Sequence, residues 1–273
     1  MCDINGCGSH RNMPPIKVSD TDRRLFLKGL ASLPLATVLA YPELSRAAAG
    51  GTDTVTITTG GGREVAAAIA MPDADKAPAV LLIHEWWGLN DQIKSVAAEL
   101  ANLGYIALAV DLYGGKVADT PDGARALMQG VDGAAATDTL VSWVEYLKNH
   151  EAGNGKVGTM GWCFGGGWSL NASLAVPVDA TVIYYGNVKK NASDLASLQS
   201  PVLGHFATED GWINKDMVGG FESAMQAAGK SGLTVHWYEA DHAFANPTSA
   251  RYDADDAALS WERTTAFFRQ HLG

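Results

Sequence analysis

Six strand-length apolar runs, at 79–84, 105–111, 157–162, 180–186, 202–208 and 234–240, alternate with helical patterns along this chain. Most are continuous rather than alternating in polarity, as strands covered on both faces require. The helical patterns fall at 92–102, 122–129, 137–149 and 215–228, with 256–272 closing the chain. In 137–149 the residues Leu140, Trp143, Val144 and Leu147 recur at i, i+3, i+4 and i+7, which makes one apolar stripe to lay on a sheet. Such alternation predicts a doubly wound α/β domain with a mostly parallel sheet. Ahead of it, 54–58 and 65–70 flank Gly60-Gly61-Gly62 and predict an N-terminal β-hairpin. No repeat or linker divides residues 50–273, so one domain is expected there.

Composition narrows the class of function. Of 273 residues, 47% are hydrophobic and 18% charged, which is ordinary for a globular protein and excludes a disordered or collagen-like chain. The formal charge of −10 provides no overall basic field for a phosphate backbone, so nucleic acid is not an expected partner. Three cysteines, Cys2, Cys7 and Cys163, are too few and too scattered for a disulfide framework or a pair of zinc knuckles.

The first 49 residues read as an address. Asp22-Arg23-Arg24-Leu25-Phe26-Leu27-Lys28 precedes an apolar run over 29–40, and Ser45-Arg46-Ala47-Ala48-Ala49 supplies small residues for cleavage. The paired arginines resemble a bacterial twin-arginine signal, with Asp22 where Ser or Thr is usual. The run is shorter than the roughly 20 residues of a membrane-spanning helix. The expectation is export by the twin-arginine machinery to the periplasm or beyond, without a stable membrane span. The segment carries six basic and four acidic residues, so its removal leaves the remainder at −12 with Cys163 as the one cysteine. In an oxidising compartment a lone thiol points to reactivity more than to structure.

Cys163 stands in a distinctive setting. Gly161-Trp162-Cys163-Phe164-Gly165-Gly166-Gly167 follows the run at 157–162 and precedes a helical stretch at 168–175. This is the G-x-nucleophile-x-G elbow with Cys in place of Ser, where flanking glycines let the backbone cross closely. The N–H of Phe164 would then face a developing oxyanion. In this kind of fold the triad runs nucleophile, acid, histidine along the chain. Asp210 follows the run at 202–208 and His242 follows that at 234–240, both at carboxyl ends of strands, where open α/β sheets build their sites. Glu209 and Asp241 remain open as alternatives for the acid that orients His242.

Five ordered segments then carry a resemblance: Ile83-His84-Glu85-Trp86-Trp87-Gly88-Leu89-Asn90, Asp111-Leu112-Tyr113, Gly161-Trp162-Cys163-Phe164-Gly165-Gly166, Gly204-His205-Phe206-Ala207-Thr208-Glu209-Asp210 and His242-Ala243-Phe244. Together they are similar to the successive motifs of the dienelactone hydrolase family over about the whole of residues 50–273. The resemblance implies an α/β-hydrolase fold and a Cys-His-Asp triad that opens cyclic enol-lactones through a thioester. It implies Cys163 as nucleophile, His242 as base, Asp210 as its orienter, and Glu85 as a carboxylate that helps deprotonate the thiol. The backbone N–H of Trp86 would be the second oxyanion donor. No cofactor is implied, and no metal, since His84-Glu85 lacks the further histidine of a zincin helix.

One departure bears on substrate. Family members that hydrolyse dienelactone hold its carboxylate with two arginines, one soon after Asp-Leu-Tyr and one four residues after the histidine. Here the first region reads Gly114-Gly115-Lys116 and the second position is Asn246. A lysine ammonium or an amide does not reproduce the guanidinium fork, so neutral or bulkier esters or lactones are expected to be preferred. Lys116, Trp87, Tyr113 and Asn246 are the expected substrate contacts, with Arg251 as another possible holder of a carboxylate. An esterase, lactonase or thioesterase is favoured over a binding protein on the same fold, because every member of the triad is present. A thiol redox role lacks a resolving cysteine.

Overall fold

The computed structural model describes residues 48–273. The expected twin-arginine signal lies almost wholly outside these described residues.

Eight strands form one sheet: β1 (Asp53–Thr58), β2 (Glu64–Ala70), β3 (Ala77–Ile83), β4 (Ile106–Val110), β5 (Gly153–Trp162), β6 (Ala180–Tyr184), β7 (Val202–Ala207) and β8 (Leu233–Tyr238). Their spatial order is β1-β2-β4-β3-β5-β6-β7-β8. The hairpin β1/β2 is antiparallel, and β2 meets β4 antiparallel. From β4 to β8 every neighbouring pair is parallel. This is the architecture of the α/β-hydrolase fold.

Among the described residues six helices cover the sheet: α1 (Asp91–Asn102), α2 (Pro121–Gln129), α3 (Gly133–Lys148), α4 (Phe164–Ala175), α5 (Lys215–Ala227) and α6 (Ala254–Leu272). Strand β3 feeds a core on each face of the sheet. Val80 and Leu82 of β3 pack with Ile93, Val96 and Leu100 of α1 and with Phe268 of α6, whereas Ala79, Leu81 and Ile83 pack with Leu140, Trp143 and Val144 of α3. Strand side chains alternate between faces, so only a continuous apolar run can satisfy both layers.

The sheet also fixes where a site can form. From β3 the chain crosses to β4 on one side and then returns past β3 to β5 on the other. At such a reversal the two outgoing connections diverge and leave a crevice beyond the carboxyl ends of the strands. Glu85 follows β3 and Cys163 follows β5, so these two residues stand at the crevice.

The helical stretch expected at 168–175 begins earlier, at Phe164, directly after Cys163. Gly165, Gly166 and Gly167 have poor helix propensity, which hides this first turn from a pattern reading. Packing requires them nonetheless. A Cβ on Gly165 would lie 2.2 Å from the Ile83 carbonyl oxygen, and one on Gly161 would lie 2.1 Å from that of Gly165. The helix expected at 137–149 likewise starts earlier, at Gly133, where the Asp132 side chain accepts from the N–H of Ala135.

Candidate active site

Cys163 sits between β5 and α4 with φ 53° and ψ −114°. Its N–H donates to Tyr184 O at 3.0 Å, and its carbonyl accepts from the N–H groups of Gly166 and Gly167 at 3.1 and 3.3 Å. A β-substituted residue with positive φ is strained by about 1–3 kcal/mol, and only surrounding contacts of this kind maintain it. The non-glycine residues with positive φ among the described residues are Cys163, Tyr185 (36°) and Ala243 (68°). All three lie in one neighbourhood. Tyr185 lays its ring 5.1 Å from that of His242, and Ala243 follows His242 directly.

The loops after β7 and β8 bring an acid and a histidine together. His242 Nδ1 lies 2.6 Å from Asp210 Oδ2. The other Asp210 oxygen accepts from the N–H groups of Trp212 and Ile213 at 2.8 and 3.0 Å. Burial acts to raise the Asp210 carboxyl, yet these donors and the His242 charge hold it below its ordinary value. Burial acts to lower His242. The hydrogen bonds to Asp210 and to the Cys163 sulfur outweigh that and raise it to about 10. The alternatives for the acid point elsewhere: Glu209 is exposed, and Asp241 accepts the His242 backbone N–H at 2.6 Å and pairs with Arg251 Nε at 3.0 Å.

Two backbone N–H groups lie in the segments that border the crevice. Phe164 opens α4 and Trp86 follows Glu85 in the loop after β3, and neither N–H has a hydrogen-bond partner among the described residues. His84 fixes that loop. Its Nε2 accepts from the Leu112 N–H at 3.2 Å, which places the ring proton on Nδ1, 2.5 Å from the Glu85 carbonyl. Burial lowers His84, so the ring stays neutral and serves as a clamp.

Glu85 is buried. Its Oε2 accepts from Asn246 Nδ2 at 2.5 Å and its Oε1 from the Tyr185 hydroxyl at 3.3 Å. Burial raises its carboxyl, and the Asn246 bond, the His242 charge and the Tyr185 bond offset that only in part. Asn246, one of the expected substrate contacts, is buried, and its carbonyl oxygen accepts from the Thr248 N–H and hydroxyl at 2.9 and 2.7 Å while its amide N–H meets Glu85. Tyr113 is buried against the rings of His84 and Phe164, and its hydroxyl has no partner among the described residues. Trp87 is half-buried, edge-on to Trp86, while Lys116 is exposed.

Two side chains of this site escape a sequence reading. Tyr185 ends the run at 180–186 as one more apolar residue, and nothing in that run announces its backbone conformation. Trp212, 62% exposed, stands edge-on to His242 with ring centroids 5.3 Å apart. An exposed tryptophan two residues after Asp210 was the available signal.

The chain is similar to known proteins in sequence and fold. Carboxymethylenebutenolidase of Pseudomonas putida is 29% identical over 231 residues, 79% of this chain and 95% of that protein. Protein usf of Aquifex pyrophilus is 32% identical over 205 residues, 71% of this chain and 89% of that protein. The crystal structure of a dienelactone hydrolase homologue from Klebsiella pneumoniae subsp. pneumoniae superposes with a TM-score of 0.72 at 27% identity, covering 81% of this chain and 99% of that one. Residues 65–272 match the dienelactone hydrolase family, and the chain therefore belongs to that family of hydrolases.

Proposed function

We propose that this hydrolase cleaves a carboxylic ester or lactone through a thioester on Cys163, with His242 and Asp210 completing a triad. The observation that carries the reading is the strained elbow: Cys163 is held at positive φ at the start of α4, hydrogen-bonded to a histidine that Asp210 orients at 2.6 Å.

The steps follow from the charges. His242, raised to about 10 with the Cys163 sulfur among the causes, takes the thiol proton as the sulfur attacks. A bond forms from Sγ to the carbonyl carbon, and the carbonyl oxygen takes up negative charge. The unpaired N–H groups of Phe164 and Trp86 are the donors available to it. The tetrahedral species collapses, the bond to the alkoxy oxygen breaks, and His242 gives its proton to that oxygen. Neutral imidazole then takes a proton from water as the water attacks the thioester. The carbon–sulfur bond breaks, the imidazolium returns its proton to the leaving sulfur, and the acid departs.

Glu85 enters this scheme through position. Burial raises its carboxyl, and removal of the thiol proton is assigned to His242, whose own shift has the Cys163 sulfur among its causes. The substrate is a small ester or lactone, and no cofactor takes part in the steps.

Cys163→Ala tests the reading. The variant should fold as the parent does, lose hydrolysis of aryl esters and lactones, and give no acyl adduct on Cys163 by mass spectrometry after rapid quenching. Turnover near the parent rate would refute the assignment.

A further inference from the structure

We propose that Arg251, laid on Trp212 beside His242, is a recognition site for an anionic group on the alcohol portion of the ester. The inference rests on the roles given above to Cys163 and His242.

Geometry places the alcohol portion first. The base returns its proton to the leaving oxygen, so that oxygen lies against His242, and the rest of the leaving group extends toward what surrounds the imidazole. Tyr185 covers one side of His242 and is fully buried. The other aromatic neighbour is Trp212, a residue 62% exposed that meets His242 edge-on at 5.3 Å. A leaving group emerging from His242 therefore runs along an uncovered aromatic surface. An open tryptophan ring beside a site offers a flat apolar surface that a ligand can stack on.

The charge comes next. The Arg251 guanidinium carbon lies 5.4 Å from the Trp212 ring centroid, stacked over it. Its Nε lies 3.0 Å from Asp241 Oδ2 in an ion pair, and Asp241 Oδ1 accepts the His242 backbone N–H at 2.6 Å. Arg251 is thus tied to the loop that carries His242. Only Nε is engaged: its two Nη groups make no hydrogen bond among the described residues. An arginine held by stacking and by one edge presents the remaining N–H fork pre-oriented, and a carboxylate accepts such a fork in bidentate fashion.

The two positions where family members carry arginines offer nothing comparable. Gly115 lies in an exposed turn and donates its N–H to Asp111 Oδ2, and Asn246 is turned into Glu85. Arg251 is close in space to His242 although it lies nine residues further along the chain. The preference for neutral substrates expected from the missing arginines gives way, on this geometry, to selection by charge on the leaving-group side.

The test compares phenyl acetate with 4-acetoxybenzoate, which place the same acetyl group on a neutral and an anionic phenol. The quantity read is kcat/KM for the anionic ester divided by that for the neutral one. Arg251→Gln should lower this ratio by about tenfold, the scale of one charged hydrogen-bonded contact, while phenyl acetate hydrolysis stays within about twofold of the parent. Arg251→Lys should keep part of the ratio, and 0.5 M salt should shrink it in the parent alone. An unchanged ratio, or equal losses on both esters, overturns the inference. If Cys163→Ala hydrolyses both esters at the parent rate, the triad reading fails as well, which separates the two failures.

Discussion

The Asn246 amide donates to Glu85 Oε2 at 2.5 Å, joining residues 161 positions apart beside the triad. Both side chains are buried, and the partner of this carboxyl is a neutral amide rather than a cation. A desolvated carboxyl beside neutral donors favours its protonated form, and the direction of the Glu85 shift agrees.

That shift has a consequence for stability. Glu85 is raised above its ordinary 4.5 in the folded state. Its contribution is therefore fully present below 4.5 and is lost as pH rises through the folded value. Glu85→Gln removes this loss. Urea unfolding from pH 4 to 9 should show the variant gaining on the parent as pH rises, whereas parallel curves would mean that the carboxyl ionises alike in both states.

His242 and Asp210 should behave as one unit. His242→Ala and Asp210→Asn should each lower kcat by about a thousandfold or more, and the double variant little further. Losses that multiply fully would argue for independent roles. An Asp241→Asn loss of that size, with Asp210→Asn silent, would transfer the orienting role.

The same pair sets a pH window. Asp210 is lowered from 3.8, so its share of stability is present above that value and lost as pH falls through the folded one. His242 is raised from 6.5 to about 10, so its share is present below 6.5 and lost as pH rises through about 10. The stability difference between parent and Asp210→Asn should be a plateau near neutrality that declines at both ends. A difference independent of pH would count against the coupling.

Close backbone crossing at the elbow predicts unequal glycine variants. A Cβ at Gly165 would meet the Ile83 and His84 carbonyl oxygens at 2.2 and 2.5 Å, and neither can withdraw without moving β3 or its loop. Gly165→Ala should cost about 3 kcal/mol. Gly219 on α5 has nothing within 4 Å, and Gly219→Ala should stabilise by about 0.5–1 kcal/mol. Thermal unfolding of both variants decides the matter.

For the amino-terminal segment we propose twin-arginine export to the periplasm. Replacing Arg23 and Arg24 by lysine should leave precursor in the cytoplasm. Normal appearance of a product beginning near Gly50 would defeat the proposal.

The apolar runs from 79 to 240 were enough to specify a parallel sheet, because burial on both faces demands unbroken apolar sequence and little else does. The glycines around Cys163 and the order of Cys163, Asp210 and His242 were legible too, since a tight elbow and strand-end loops are local properties. Chain position could not choose among Glu209, Asp210 and Asp241. Only the paths of the loops after β7 and β8 bring Asp210 Oδ2, and not its neighbours, to His242. The positive φ of Tyr185, the turn of Asn246 into Glu85 and the stacking of Arg251 on Trp212 were likewise decided in three dimensions. Each depends on contacts between segments distant in sequence. No periodicity encodes such contacts, because they arise only when sheet register and loop path place particular atoms within bonding distance.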